Sequence, residues 1–123
     1  MNKPNTYEDI YNNMIDRLNK QCCEVLELLG CKLSYQISSD GKRKFITIEY
    51  KHLRYTIIPY VKHYIDNDIT TTVPDYYDLN AFWFNNCVEW RKFLLPDELC
   101  QFVINSITLN QDSEKIYDGV GNN

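Results

Sequence analysis

The amino-acid sequence predicts an α+β domain with an N-terminal helix, an antiparallel meander of three or four strands, and two C-terminal helices. Three observations support this prediction. Apolar residues near the N-terminus recur at spacings of three and four, which is typical of a helix. The spacing changes to two in the middle of the chain, as in half-buried strands. Capping residues and a proline in the last third indicate further helices.

The first helix is predicted over residues 6–29. Thr6 and Asp9 stand at the spacing of a capping box, and Gly30 stands where a left-handed residue commonly ends a helix. The apolar positions form one helical stripe. They are Ile10, Met14, Leu18, Cys22, Val25, Leu26 and Leu29.

The next segment predicts a β-hairpin around Asp40-Gly41, a dipeptide typical of two-residue turns. With these two residues as the loop, Tyr35 faces Ile46, and the residue numbers of every facing pair add up to 81. The apolar sides of the two strands then coincide, which supports this register.

A third strand is predicted with Leu53, Tyr55 and Ile57 on the same side. Pro59 has no N–H to donate, so it predicts a sheet edge, a bend or a bulge. The residues 66–68 predict a turn into a short fourth strand, and Pro74-Asp75 predict the end of the sheet.

Two helices are predicted after the sheet. The first covers the aromatic run "DLNAFWFNNCVEW" (78–90) with Asp78 as its cap, and the second begins near Pro96. The apolar stripe of the second helix is Leu99, Phe102, Val103 and Ile107. Periodicity is lost after about Asn110, so we expect a single domain over 1–109 and a flexible tail over 110–123.

Composition narrows the class of protein. The chain has 123 residues, 44% of them apolar, which suits one domain with a real core. No apolar run approaches the length of a membrane span, and the N-terminus lacks a signal-peptide pattern. The five cysteines are an odd number. We therefore expect reduced thiols in a cytoplasmic protein.

Groups that make or break bonds are not arranged in known patterns. His52 and His63 are the only histidines, and neither has a metal-ligand spacing with Cys22, Cys23 or Cys31. The four glycines leave no room for a phosphate-binding loop. The sequence therefore predicts a protein that is not an enzyme and has no metal or cofactor.

Aromatic and acidic residues in the second half predict a surface that binds another protein. Residues 64–123 contain ten acidic and three basic side chains, which would steer the chain toward a basic partner. On a helical wheel Phe84 and Val88 lie opposite the remaining apolar face, where a last helix or a partner could cover them. The predicted partner-binding residues are Asp75, Tyr76, Tyr77, Asp78, Phe84, Val88, Glu89, Trp90, Asp97 and Glu98.

The functional hypothesis is a stoichiometric inhibitor that occludes a basic surface, for example on a nucleic-acid-handling enzyme. In size, charge and order of elements the chain resembles immunity proteins of bacterial toxins, phage anti-defence inhibitors and class I secretion chaperones. This resemblance rests on no shared motif. It implies protein binding without catalysis.

Two alternatives remain open. The first is nucleic-acid binding through the basic hairpin or the outer sheet face, which a pI of about 5.1 disfavours. The second is a chaperone-like or structural homodimer, which would bury the aromatic run against its twin. The residues that carry the nucleic-acid alternative are Lys42, Arg43, Lys44, Lys51 and Arg54.

Overall fold

The computed structural model describes residues 7–41 and 44–112, with side chains described as far as residue 109. It confirms the α+β class, with an N-terminal helix, one five-stranded antiparallel sheet and a C-terminal helix. Each strand pairs with its neighbours along the chain, so the sheet is a meander. The elements are α1 (Tyr7–Leu18), a π-helical turn (Asn19–Cys23), α2 (Glu24–Leu28), β1 (Lys32–Ile37), β2 (Lys44–Tyr50), β3 (Leu53–Asp66), β4 (Ile69–Trp83), β5 (Asn86–Phe93) and α3 (Pro96–Asp112).

The N-terminal helix closely matches its predicted span. Gly30 has a φ of +96°, its N–H donates to the Glu27 carbonyl, and the Cys31 N–H donates to the Leu26 carbonyl at 3.1 Å. These two bonds form a Schellman cap, which confirms Gly30 as the stop signal. The predicted start at Thr6 lies outside the described residues.

The first three strands confirm the predicted register. Tyr35 faces Ile46 across β1 and β2, and Ile46 faces Ile57 across β2 and β3. The predicted inward residues of β3 are all buried. A register shift follows Tyr60, next to Pro59, as the missing N–H of that proline led us to expect.

The predicted helix over 78–90 is wrong. This stretch forms the end of β4, a turn at Phe84-Asn85 and most of β5. Aromatic residues favour strands, and Leu79, Ala81 and Trp83 do alternate inward along β4. Aromatic residues on the opposite side of the strand hid that alternation, and the turn contains no glycine to signal a hairpin.

The prediction that the sheet ends at Pro74-Asp75 is wrong, because β4 continues through both residues. Pro74 lies inside β4 opposite Val61, and Asp75 is an extra residue between the Pro74 and Tyr76 pairs. This arrangement is a β-bulge, one of the places where a strand tolerates proline. Residues 62–71 continue β3 and β4 as an exposed two-stranded ribbon.

All helices pack on one face of the sheet. The core joins α1 side chains such as Leu18 to strand residues such as Ile57 and Leu79, and to Leu99 and Val103 of α3. The last two residues confirm the predicted α3 stripe. No described helix combines the length and apolar character needed to cross a bilayer. The predicted tail lies outside the described residues from position 113 onward.

Four cysteines lie in the core, whereas Cys87 is exposed on β5. A hydrogen bond with Cys23 is the largest cause that raises the pKa of Cys22, and burial is the second. Burial raises the pKa of Cys31 to about 11 and also raises that of Cys100. Thiols react as thiolates, so Cys22, Cys31 and Cys100 are protected both by burial and by their raised pKa values. A hydrogen bond with Cys22 lowers the pKa of Cys23, and that thiol is protected by burial alone.

We therefore expect one rapidly reacting thiol in the native protein and five in denaturant, measured with Ellman's reagent. Cys87→Ser should remove the native reaction and leave four thiols in denaturant. Rapid reaction of two or more thiols in the native wild type would contradict the buried placement.

Candidate protein-binding surface

The face of the sheet opposite the helices is the candidate functional surface, and we call it the outer face. Alternation along the strands places on it side chains whose neighbours in sequence are buried in the core. Both helical segments pack on the other face, so no described helix covers it. Its side chains on β3, β4 and β5 include Arg54, Tyr60, Tyr76, Asp78, Phe82, Trp90 and Lys92.

Aromatic rings and one cation are linked into a cluster on β3, β4 and β5. The Tyr60 and Tyr76 rings stack at 4.9 Å between centroids. The Lys92 ammonium lies 4.7 Å from the Tyr76 ring centre and 5.2 Å from that of Trp90. The Trp90 indole N–H donates a hydrogen bond to the Asp78 carboxylate. Each large side chain of this cluster is thus held by at least one specific contact.

A second cation–π pair extends the outer face toward the turns. The Arg54 guanidinium lies 4.7 Å from the centre of the Phe82 ring, directly across β3 and β4. Arginine stacked on an aromatic ring keeps its hydrogen-bond donors available to a ligand or partner. Ring and cation together therefore form a prearranged polar and aromatic contact.

Tyr77 does not belong to any surface. Its side chain is 1% exposed, and its hydroxyl donates to the Met14 carbonyl at 2.9 Å. The predicted partner-binding residues include both Tyr76 and Tyr77, but neighbouring strand residues point to opposite faces. Tyr77 is a core residue that joins the sheet to α1.

Three other predicted residues are separated from the aromatic cluster. Phe84 lies at the turn between β4 and β5 and is 54% exposed. Val88 is the extra residue of a bulge in β5 and packs partly against the core. Glu89 is directly opposite the buried Ala81, on the helix side, where it bonds Arg91 at 2.6 Å.

The remaining acidic residues do not form one patch with Asp78. Asp75 lies at the β4 bulge, where the Tyr64 hydroxyl and, to a smaller extent, the Asp75 carboxylate raise the pKa of Lys62. Asp97 and Glu98 are exposed in the first turn of α3, where acidic side chains stabilise the helix dipole. The acidic residues of the predicted partner-binding surface, including Glu89, are therefore divided among four parts of the fold.

The basic residues of the nucleic-acid alternative are also divided. Lys42 and Arg43 lie outside the described residues. Lys44 begins β2, and its carbonyl accepts a hydrogen bond from the Tyr11 hydroxyl. Lys51 and Arg54 lie together at the far end of β2 and β3, beside Phe84.

Two turns meet at that end of the sheet and form a small depression, which we call the turn cleft. The Phe84 N–H donates to the His52 carbonyl at 3.0 Å, and the two rings stack at 4.3 Å. The Trp83 ring contacts both of them edge-on. The cleft encloses about 220 Å³ and is lined by Glu49, Lys51, His52, Leu53, Arg54, Phe84 and Asn85.

The backbone at the turn cleft is unusual for its residues. Phe84 has a φ of +57° and Lys51 a φ of +53°, in the left-handed region that disfavours bulky side chains. The other non-glycine residues with positive φ in the described chain are Asn67 and Asp68, types that tolerate it. Residues that break a local rule are often retained for function.

Two replacements of Phe84 separate the contribution of its ring to stability from the cost of its left-handed backbone. Phe84→Ala removes the ring and keeps a Cβ in the left-handed region, whereas Phe84→Gly removes both. We expect the glycine variant to be more stable than the alanine variant by about 1 kcal/mol, measured by urea unfolding. A glycine variant that is less stable than the alanine variant would contradict the left-handed placement.

Sequence reasoning missed several members of these sites. It did not predict the stacking of Tyr60 on Tyr76, and it missed Phe82, Lys92 and His52. The alternation of Asp78, Asn80 and Phe82 with buried residues was the available signal. The helical interpretation concealed it.

The comparisons with known proteins are negative. Neither a protein-family model nor a curated protein nor a solved structure matches this chain. Among the described residues, no group of three or more histidine, cysteine or acidic side chains is arranged to hold a metal ion.

Proposed function

We propose that this protein acts by binding another protein through its outer face. The observation that supports the proposal most directly is the state of Trp90. Its side chain is 55% exposed, although Asp78 and Lys92 hold it in one orientation. An exposed tryptophan that is already ordered loses little entropy when a partner covers it.

The chemistry around Trp90 suits a protein contact. Tryptophan, tyrosine and arginine are the residues that most often dominate binding energy, and the outer face presents all three beside one another. The cluster also contains one carboxylate and one ammonium group, Asp78 and Lys92, so its charges nearly cancel. A partner that covers this face would need matching polar groups at its rim.

We propose further that the binding is of the inhibitor or immunity type, as with a toxin immunity protein or a phage anti-defence inhibitor. The net charge of −4 supports this form, because an acidic chain approaches a basic surface more rapidly. A nucleic-acid-handling enzyme carries such a surface, and the bound chain would occlude it.

The stoichiometry of the complex tests this proposal. We expect native mass spectrometry of the tagged chain, purified from its own host, to show one copy with one partner protein. The partner's activity should fall in proportion to added chain until the two are equimolar. A mass that corresponds only to the monomer, or only to a homodimer, would refute the proposal.

Tryptophan fluorescence reports which face is covered. Trp83 is 6% exposed and Trp90 is 55% exposed, so acrylamide should quench Trp90 in the free chain and lose access to it in the complex. The Trp83→Phe variant isolates the Trp90 signal. Unchanged quenching in a saturated complex would place the interface elsewhere.

A further inference from the structure

The turn cleft is a second candidate site, apart from the aromatic cluster around Trp90. Its volume of about 220 Å³ is below the roughly 300–1,000 Å³ of pockets that enclose a drug-sized ligand. The cleft therefore suits one ring system with part of the ligand remaining outside.

One wall of the cleft is a stacking platform. The Phe84 ring is stacked on His52 and still has 54% of its surface exposed. The left-handed backbone of Phe84 is more compatible with glycine or asparagine than with an aromatic residue. The presence of a phenylalanine at this position is explained if its exposed ring binds a flat ligand.

The charges around the platform select the class of ligand. Lys51 and Arg54 line the cleft with one carboxylate, Glu49. The guanidinium of Arg54 is already oriented on the Phe82 ring, and arginine and lysine are the usual partners of phosphate. A ligand that combines a flat ring with an adjacent anion matches both walls.

We propose that the turn cleft binds one nucleotide unit of a single-stranded nucleic acid. The base would stack on Phe84, and its phosphates would contact Lys51 and Arg54. Aromatic platforms flanked by basic residues bind single strands with little sequence preference. This site shares Arg54 with the outer face, but its other two contacts, Lys51 and Phe84, lie apart from Trp90, so either function could fail without the other.

The number of cations sets the expected salt dependence. Two phosphate contacts on a single strand predict a slope of about −1.4 for the logarithm of affinity against that of salt concentration. The affinity should then fall roughly sevenfold between about 50 mM and about 200 mM salt. Loss of one contact should reduce that change to roughly threefold.

The test is fluorescence anisotropy of a short labelled deoxythymidine oligomer titrated with the full chain at these two salt concentrations. Lys51→Asn removes one charge and keeps a residue that tolerates the left-handed backbone, so it should give the smaller salt effect. Phe84→Gly should weaken binding about tenfold or more, because it removes the platform. Lys20→Gln, an equal charge change on the exposed side of the helix, is the control and should bind like the wild type.

Three results would overturn the proposal. The first is no binding at about 50 mM salt with protein approaching millimolar concentration. The second is binding that neither Phe84→Gly nor Lys51→Asn alters, which would assign the oligomer to another surface. The third is binding that depends on Phe84 but is indifferent to salt, which would mean that neither Lys51 nor Arg54 contacts a phosphate.

Discussion

Trp90→Ala is expected to weaken the complex with the protein partner by about 30-fold or more, equivalent to about 2 kcal/mol. The indole is the largest exposed ring of the outer face, and Asp78 and Lys92 orient it before binding. The free energy of unfolding should change by no more than about 1 kcal/mol, because over half of the side chain is exposed. Calorimetric titration and urea unfolding of the same samples measure the two quantities.

Leu28→Ala is the matched control for this variant. Leu28 is 89% exposed and lies on α2, on the helix side of the sheet. Like Trp90→Ala, the Leu28→Ala variant removes an exposed apolar side chain, but we expect its affinity for the partner to be unchanged. If both variants weaken the complex equally, or neither does, the outer face is not the interface.

Tyr77→Ala is expected to destabilise the fold by about 3–5 kcal/mol. The variant loses a fully buried aromatic ring and leaves the Met14 carbonyl without the hydroxyl that now donates to it. Small domains unfold at a cost of about 5–15 kcal/mol, so this one change removes a large share of the stability. Thermal and urea unfolding measure it.

The neighbouring residue provides the control. Tyr76→Ala removes the same side chain from the opposite face, where it is only half-buried, and should cost about 1 kcal/mol. Equal costs for the two variants would contradict the assignment of Tyr77 to the core and Tyr76 to the outer face.

Alkaline pH provides a second measurement at Tyr77. Burial raises the pKa of this hydroxyl to about 12, above the value near 10 of an unfolded chain. The contribution of this protonated hydroxyl to the free energy of unfolding is therefore complete below about pH 10. It is lost as the pH rises toward 12, by about 1.4 kcal/mol per pH unit. The difference in stability between wild type and Tyr77→Phe should shrink across that window. A constant difference would contradict the raised pKa.

The parts of the fold that were predicted correctly have strong local signals. The helix stripe as far as Cys22, the Gly30 stop and the Asp40-Gly41 hairpin each depend on residues close together in the chain. The stripe prediction is wrong at Val25 and Leu29, which are 40% and 46% exposed. Register then follows from matching the apolar sides of adjacent strands. Local chemistry alone is sufficient at such positions.

The aromatic run 78–90 had a weaker signal, because only Asp78 and Asn80 mark the outer side of this strand as polar. Trp83 and Phe82 are both large and apolar, yet one is buried in the core and the other lies on the outer face. Period-two alternation is visible only when the two faces differ in polarity. An outer face that carries aromatic residues removes that difference, and the candidate site was misread for that reason.

The sequence by itself determined the class of the fold, the pairing of the first three strands and the surplus of aromatic side chains. Only the tertiary structure decided which aromatic residues are core and which are surface, and that Phe84 lies beside Lys51 rather than beside Trp90. The physical reason is that burial depends on which face the helices cover. That choice is made by packing between segments distant in the chain, such as Tyr77 with Met14, and no local pattern specifies it.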